Sequence, residues 1–96
     1  MVEFGNKLRQ LRLQAGMTQA DLAKRLNLTK AVVSYYENHE RAPSPDVLIK
    51  LATIFHVSTD YLLGITSKKM LDVSDLTEDE MALLRVIIET LRKRKR

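Results

Sequence analysis

The 96-residue chain contains no cysteine and no tryptophan, only two prolines, three glycines and two histidines, and 5% aromatic residues. Without cysteine there is no disulfide framework, no thiolate zinc site and no thiol nucleophile. A domain this small must then hold together by apolar packing, which suits a cytoplasmic setting better than a secreted one. No charged-then-apolar leader opens residues 1–10, and no apolar run approaches the ~18 residues a membrane span requires. Gly5, Gly16 and Gly64 are too scattered to form a phosphate-cradling loop. His39 and His56 stand far apart with no cysteine beside them, so no metal site is expected. No Ser-His-acid arrangement occurs, and the sequence gives no reason to expect an enzyme, a cofactor or a small-molecule pocket.

What is present describes a folded domain. Hydrophobic residues make up 45% and charged residues 29%, a balance that supports a core and excludes wholesale disorder. Sixteen Lys and Arg against twelve Asp and Glu leave a net charge of +4. Residues 1–66 and 67–96 each hold 8 basic and 6 acidic side chains, so the excess is spread along the chain. Locally it is concentrated in residues 92–96, an unbroken run of Arg and Lys. A basic surface suits nucleic acid, but it suits solubility nearly as well.

The chain reads as helices with marked stops. Phe4, Leu8, Leu11 and Ala15 recur at helical spacing, and Gly16 follows where a left-handed residue closes a helix. Thr18 and Asp21 form a capping-box pattern ahead of a second helix, residues 19–26, that turns Leu22, Ala23 and Leu26 inward. After Asn27-Leu28, Thr29 caps a third helix over 30–37. Its inner residues are Val33 and Tyr36, while Lys30, Ala31, Ser34 and Tyr35 face elsewhere. Residues 38–42 are a polar loop. Ser44-Pro45 starts a fourth helix to Phe55, with Leu48, Leu51, Ala52 and Phe55 inward, and Ser58 starts a fifth over 59–63. Residues 65–76 read as a linker. Thr77 and Glu80 then make a second capping box, flanked by Leu76 and Met81 as a hydrophobic staple, opening a last helix toward the terminal basic run.

The segment from Met17 to Asn38, two short helices joined by a tight turn, is a helix-turn-helix arrangement. In such a unit the first helix braces across the DNA backbone and the second lies in the major groove. Small or polar residues belong on the outer side of the second helix, and Lys30, Ala31, Ser34 and Tyr35 meet that demand.

From Leu8 to Leu63 the chain resembles the DNA-binding domain shared by lambda- and Cro-type phage repressors and the bacterial Xre-type regulators. The matching pieces are Leu11-Arg12, Met17-Thr18-Gln19, Leu22-Ala23, Leu26-Asn27-Leu28-Thr29, Val33-Ser34, Glu37-Asn38, Pro43-Ser44 and Leu51-Ala52. The resemblance implies DNA contact by Thr18, Gln19, Thr29, Lys30, Ala31, Ser34, Tyr35, Asn38 and Arg41. Gln19 matches a glutamine that reaches a phosphate and an adjacent base, and its helix N-terminus offers backbone N–H groups to phosphate. Lys30 can donate to guanine O6 and N7, and Ala31 can meet a thymine methyl. Asn38 and Arg41 match the loop that grips the backbone. Arg12 and Glu37 match a structural ion pair tying the first helix to the end of the third. Asn27 and His39 stand where the family most often has glycine; both tolerate the left-handed conformation better than most residues.

The last helix carries Met81, Leu83, Leu84, Ile87, Ile88 and Leu91 on an arc of roughly 160° at 100° per residue, wider than a packing stripe. Burying these six is worth on the order of 9–18 kcal/mol at ~1.5–3 each, so they call for a covering surface. One reading docks the helix on its own domain. The favoured one divides the face between that domain and a second copy, with Met81, Leu84, Ile87, Ile88 and Leu91 forming a dimer interface. Glu78, Asp79 and Glu80 complement the helix dipole at one end, and the basic run complements it at the other.

The expectation is an all-α protein: a five-helix lambda-repressor-like DNA-binding domain (1–64), a linker (65–76) and a C-terminal dimerisation helix (77–96). Its expected function is transcriptional regulation, most simply repression, by a homodimer on a double-stranded DNA operator in a bacterium or phage. Two other readings stay open: an antitoxin whose last helix binds a partner toxin, and a helical interaction module with no DNA role.

Overall fold

The computed structural model describes residues 2–67 and 70–94. Among these the chain forms six helices and no strand: α1 (Val2–Gln14), α2 (Gln19–Leu26), α3 (Lys30–Glu37), α4 (Pro45–Phe55), α5 (Thr59–Leu62) and α6 (Glu78–Arg94). Four of the starts share one device. Thr18, Thr29, Ser44 and Ser58 adopt extended backbone, and each side-chain oxygen accepts the N–H of the residue three positions on. Asp21 completes the capping box of α2, and the Thr77–Glu80 box opens α6 through Glu80 N to Thr77 Oγ1 at 3.1 Å.

Two of the helix stops are left-handed non-glycine residues. Asn27 closes α2 at φ 57°, as its side chain permits, and His56 closes α4 at φ 55°, directly after Phe55 where the sequence ended that helix. His39, in the loop after α3, also has positive φ, at 67°.

The core joins all five N-terminal helices: Phe4 and Leu8 from α1, Leu22, Ala23 and Leu26 from α2, Val33 and Tyr36 from α3, Leu51 from α4, then Val57, Tyr61 and Leu62. Phe4 meets Tyr36 edge to face, with centroids 6.3 Å apart. Three sequence expectations change here. Ala15 lies beyond α1 and is exposed; of α4, only Leu51 is fully buried while Leu48, Ala52 and Phe55 are partly so; and α5 ends at Leu62. The α1 stripe ends early because Arg12, not an apolar residue, takes the next inward position. Gly5 explains how closely α1 lies against α3: a methyl group there would sit 2.7 Å from the Tyr36 carbonyl oxygen and 2.5 Å from His39 Nδ1.

The linker is not free of structure. Asp72 N donates to His56 O at 3.1 Å, and Asp72 Oδ1 accepts from the Ser74 amide and hydroxyl. Leu71 borders an apolar concavity of about 520 Å³ that is also lined by Leu11, Ala15, Ile54 and Phe55 and touches no residue of α3.

α6 stands apart. None of its described residues is buried, and Leu83, Val86, Ile87, Ile88 and Leu91 are exposed. The radius of gyration, 15.2 Å, exceeds the ~12–13 Å of a compact globule of this length. No helix among the described residues is long and apolar enough to cross a membrane. Of the terminal basic run, Lys95 and Arg96 lie outside the described residues.

Candidate nucleic-acid interface

α3 is two-sided because its apolar residues recur at three-residue spacing. Val33, Tyr36 and Glu37 are buried, whereas Lys30, Ala31 and Tyr35 are exposed and Ser34 is half-buried. Positions 30, 31, 34, 35 and 38 follow one another up the outer face of a 3.6-residue helix. Thr29 ends this face as N-cap, its Oγ1 accepting Val32 N at 3.3 Å. At the other end Asn38 is the C-cap, and its Nδ2 donates to Ser34 Oγ at 3.2 Å. Two of the expected contact residues, Ser34 and Asn38, are thus joined to each other on the free surface.

The loop after α3 turns back over the same face. The amides of Glu40 and Arg41 both donate to the Tyr35 carbonyl, at 2.8 and 3.3 Å. This turn carries the Arg41 guanidinium over the Tyr35 ring, with Cζ 4.9 Å from the centroid. Arg41, outside the helix in sequence, therefore joins the α3 face in space.

Beneath that face lies a charged pair that fixes the helices to one another. Arg12 Nε donates to Glu37 Oε2 at 2.7 Å and its second terminal nitrogen to Oε1 at 3.0 Å, a bidentate pair buried on both sides. The remaining nitrogen donates to Met17 O at 2.9 Å, which ties down the turn before α2. The Glu37 hydrogen bond, reinforced by its charge and opposed by burial, raises the Arg12 pKa above its already high ordinary value.

Gln19 enters the same cluster, its Nε2 donating to Glu37 Oε1 at 3.2 Å. Sequence reasoning paired Arg12 with Glu37 but assigned Gln19 to DNA alone. The missed contact joins the first residue of α2 to the last of α3, so the carboxylate orders three helices. Thr18 is exposed beside Gln19 and engaged as a cap: Asp21 N donates to its Oγ1 at 3.0 Å, and its own amide donates to Asp21 Oδ2 at 2.9 Å. The Thr18 amide and, next to it, the Thr18 hydroxyl stabilise the carboxylate and hold the Asp21 carboxyl below its ordinary value.

The structure brings all nine expected contact residues to two neighbouring sites, the outer face of α3 with its following loop and the N-terminus of α2. The expected dimer residues lie elsewhere, on α6, with Met81 and Leu84 half-buried and Ile87, Ile88 and Leu91 exposed. Among the described residues no cluster of His, Asp or Glu could hold a metal ion.

Two short helices packed across a tight left-handed turn, the second with a polar outer face, define a helix-turn-helix unit. A helix-turn-helix family model matches residues 8–62, which is more than half of the chain. The chain belongs to this family, in its Xre- and Cro-type branch of transcriptional regulators. It is 38% identical over 82 residues to the HTH-type transcriptional regulator ImmR of Bacillus subtilis, covering 82% of this chain and 65% of ImmR. The chain thus spans about two thirds of that relative's length. Its fold superposes on the P22 c2 repressor, solved with a synthetic operator, at TM-score 0.59 and 29% identity over 62% of this chain and 89% of the repressor. A transcriptional regulator from Listeria innocua matches at TM-score 0.63 and 29% identity, over 94% of this chain and 92% of that one.

Proposed function

We propose that the protein is a sequence-specific regulator of transcription, a repressor in its simplest form, that binds double-stranded DNA as a homodimer. In this reading α3 enters the major groove, with Lys30, Ala31 and Ser34 toward the base edges and Tyr35 on the same face beneath Arg41. The observation that carries it is the single polar face of α3, backed by the buried Arg12–Glu37–Gln19 cluster. A carboxylate buried only to bind arginine and glutamine has value where the angle between helices matters, and groove reading needs that angle fixed.

Roles follow from chemistry. Lys30 donates to guanine, and the Ala31 methyl meets thymine. Thr29, Asn38 and Arg41 flank the groove and meet phosphate, as do Thr18 and the N-terminal amides of α2. Gln19 contributes through its amide oxygen while its nitrogen stays on Glu37. A cytoplasmic location accompanies a DNA partner. The exposed α6 stripe is where the second copy packs, and it would set two α3 helices ~34 Å apart on one DNA face. The matched regulators described above give the antitoxin reading no support.

The test is fluorescence anisotropy on a selected operator and on its single-base variants. Lys30→Ala should lose about 1–3 kcal/mol on the operator and relax preference at one base position per half-site. A variant that keeps both affinity and base preference would remove α3 from the groove.

A further inference from the structure

We infer that Tyr35 acts on DNA through Arg41: its ring is the platform that holds the Arg41 guanidinium in place for a phosphate, and it is not itself a reader of bases. The inference rests on the DNA reading above and refines the part given there to Tyr35. Three contacts converge on this one residue. The Tyr35 carbonyl accepts the amides of Glu40 and Arg41 at 2.8 and 3.3 Å, so the loop is anchored on its backbone. His39, left-handed at φ 67°, makes the reversal that allows this. The ring then lies under the guanidinium, with Arg41 Cζ 4.9 Å from its centroid.

The geometry suits a phosphate contact. A cation–π contact with the ring uses none of the guanidinium's hydrogen-bond donors, and those N–H groups are the ones that bind phosphate oxygens in pairs. An arginine free in solvent gives up most of its rotamer freedom when it meets a phosphate; one already resting on a ring gives up less. Tyr35 is 36% exposed, and the Arg41 guanidinium lies over one face of its ring. A ring so occupied does not present that side to a base edge.

The positioning role separates from base reading in a double-variant cycle, with Tyr35→Ala, Tyr35→Phe, Arg41→Ala and the Tyr35→Ala/Arg41→Ala pair. Each is titrated against the operator, a single-base variant and random duplex over a range of salt. Arg41→Ala should weaken every duplex alike and lower the slope of log affinity against log salt by about one. Tyr35→Ala should also weaken every duplex, about two- to fivefold, which is the ~0.5–1 kcal/mol of an exposed cation–π contact at 1.4 kcal/mol per tenfold. It should have no effect in the Arg41→Ala background. Tyr35→Phe should bind as the parent does, since the ring is kept and only the hydroxyl is lost.

A loss from Tyr35→Ala that varies with base sequence and persists without Arg41 would overturn the inference alone, leaving the α3 reading intact. Parent-like affinity and salt slope in Arg41→Ala would overturn the phosphate role of the loop and the inference with it. Thermal melts of the same variants check the fold, and Tyr35→Phe and Arg41→Ala carry the test if Tyr35→Ala melts early.

Discussion

Glu37 is the residue on which the geometry of the interface turns. It is only 5% exposed, yet it carries a carboxylate, and its two oxygens accept from Arg12 twice and from Gln19 once. A buried pair of this kind contributes little net stability over an apolar replacement, but losing one partner strands the other charge. Glu37→Leu should therefore lower the unfolding free energy in urea by about 3–5 kcal/mol, whereas the Arg12→Leu/Glu37→Leu pair should recover most of that loss. Equal losses in the single and double variants would contradict the account. DNA affinity should not recover with stability in the double variant, because the tie from α2 to α3 through Gln19 is gone. The pair itself was legible through family resemblance, but the third partner was not. A glutamine on the first turn of a helix looks free for DNA until the fold brings a carboxylate beneath it. Gly5 was equally silent, since its importance comes from the approach of His39 and the Tyr36 carbonyl, residues distant in sequence.

At the scale of the element, the helix starts were the most legible feature because each is encoded within four residues. Thr18, Thr29, Ser44, Ser58 and Thr77 all cap where the sequence placed them. Helix ends were legible for α2 and α4, which stop at Leu26 and Phe55 as read, but α1 ended before Ala15 and α5 at Leu62. One cap has a pH signature. The Thr18 amide and hydroxyl group stabilise the charged form of Asp21, so its folded pKa lies below the ordinary 3.8. The resulting stabilisation is present above the unfolded value and is lost as pH falls through the folded one. Asp21→Asn should accordingly be less stable than the parent near neutrality and decline less steeply below about pH 4, as followed by helicity during acid titration. A variant with the same acid slope as the parent would show that this cap contributes nothing to the linkage. Asp72, held low by the Ser74 hydroxyl and amide, acts in the same direction and is kept in both proteins.

For the whole molecule the decisive element is α6. Its apolar stripe was plain in the sequence, but the same spacing suits docking on the parent domain and pairing with a second copy. Periodicity states that a face must be covered and not by what. The structure leaves Ile87 and Leu91 about half exposed and buries no described residue of α6. Covering large aliphatic side chains of this kind is worth ~1.5–3 kcal/mol each, which favours association. Ile87→Glu/Ile88→Glu should sediment as a monomer, retain the thermal transition of the N-terminal helices and bind the full operator much more weakly than the parent. A dimer that survives both glutamates would place the interface elsewhere, the apolar hollow beside Leu71 being the next surface to alter.

The central claim, that the outer face of α3 reads DNA sequence in a two-fold assembly, is tested most directly by selecting binding sites for the intact protein from random duplex DNA. The account predicts enrichment of an inverted repeat whose half-sites lie about one helical turn, 10–10.5 base pairs, apart. Lys30→Ala should select the same repeat with one position in each half-site relaxed. Recovered DNA with no sequence in common, at a salt concentration where the protein still binds, would contradict it.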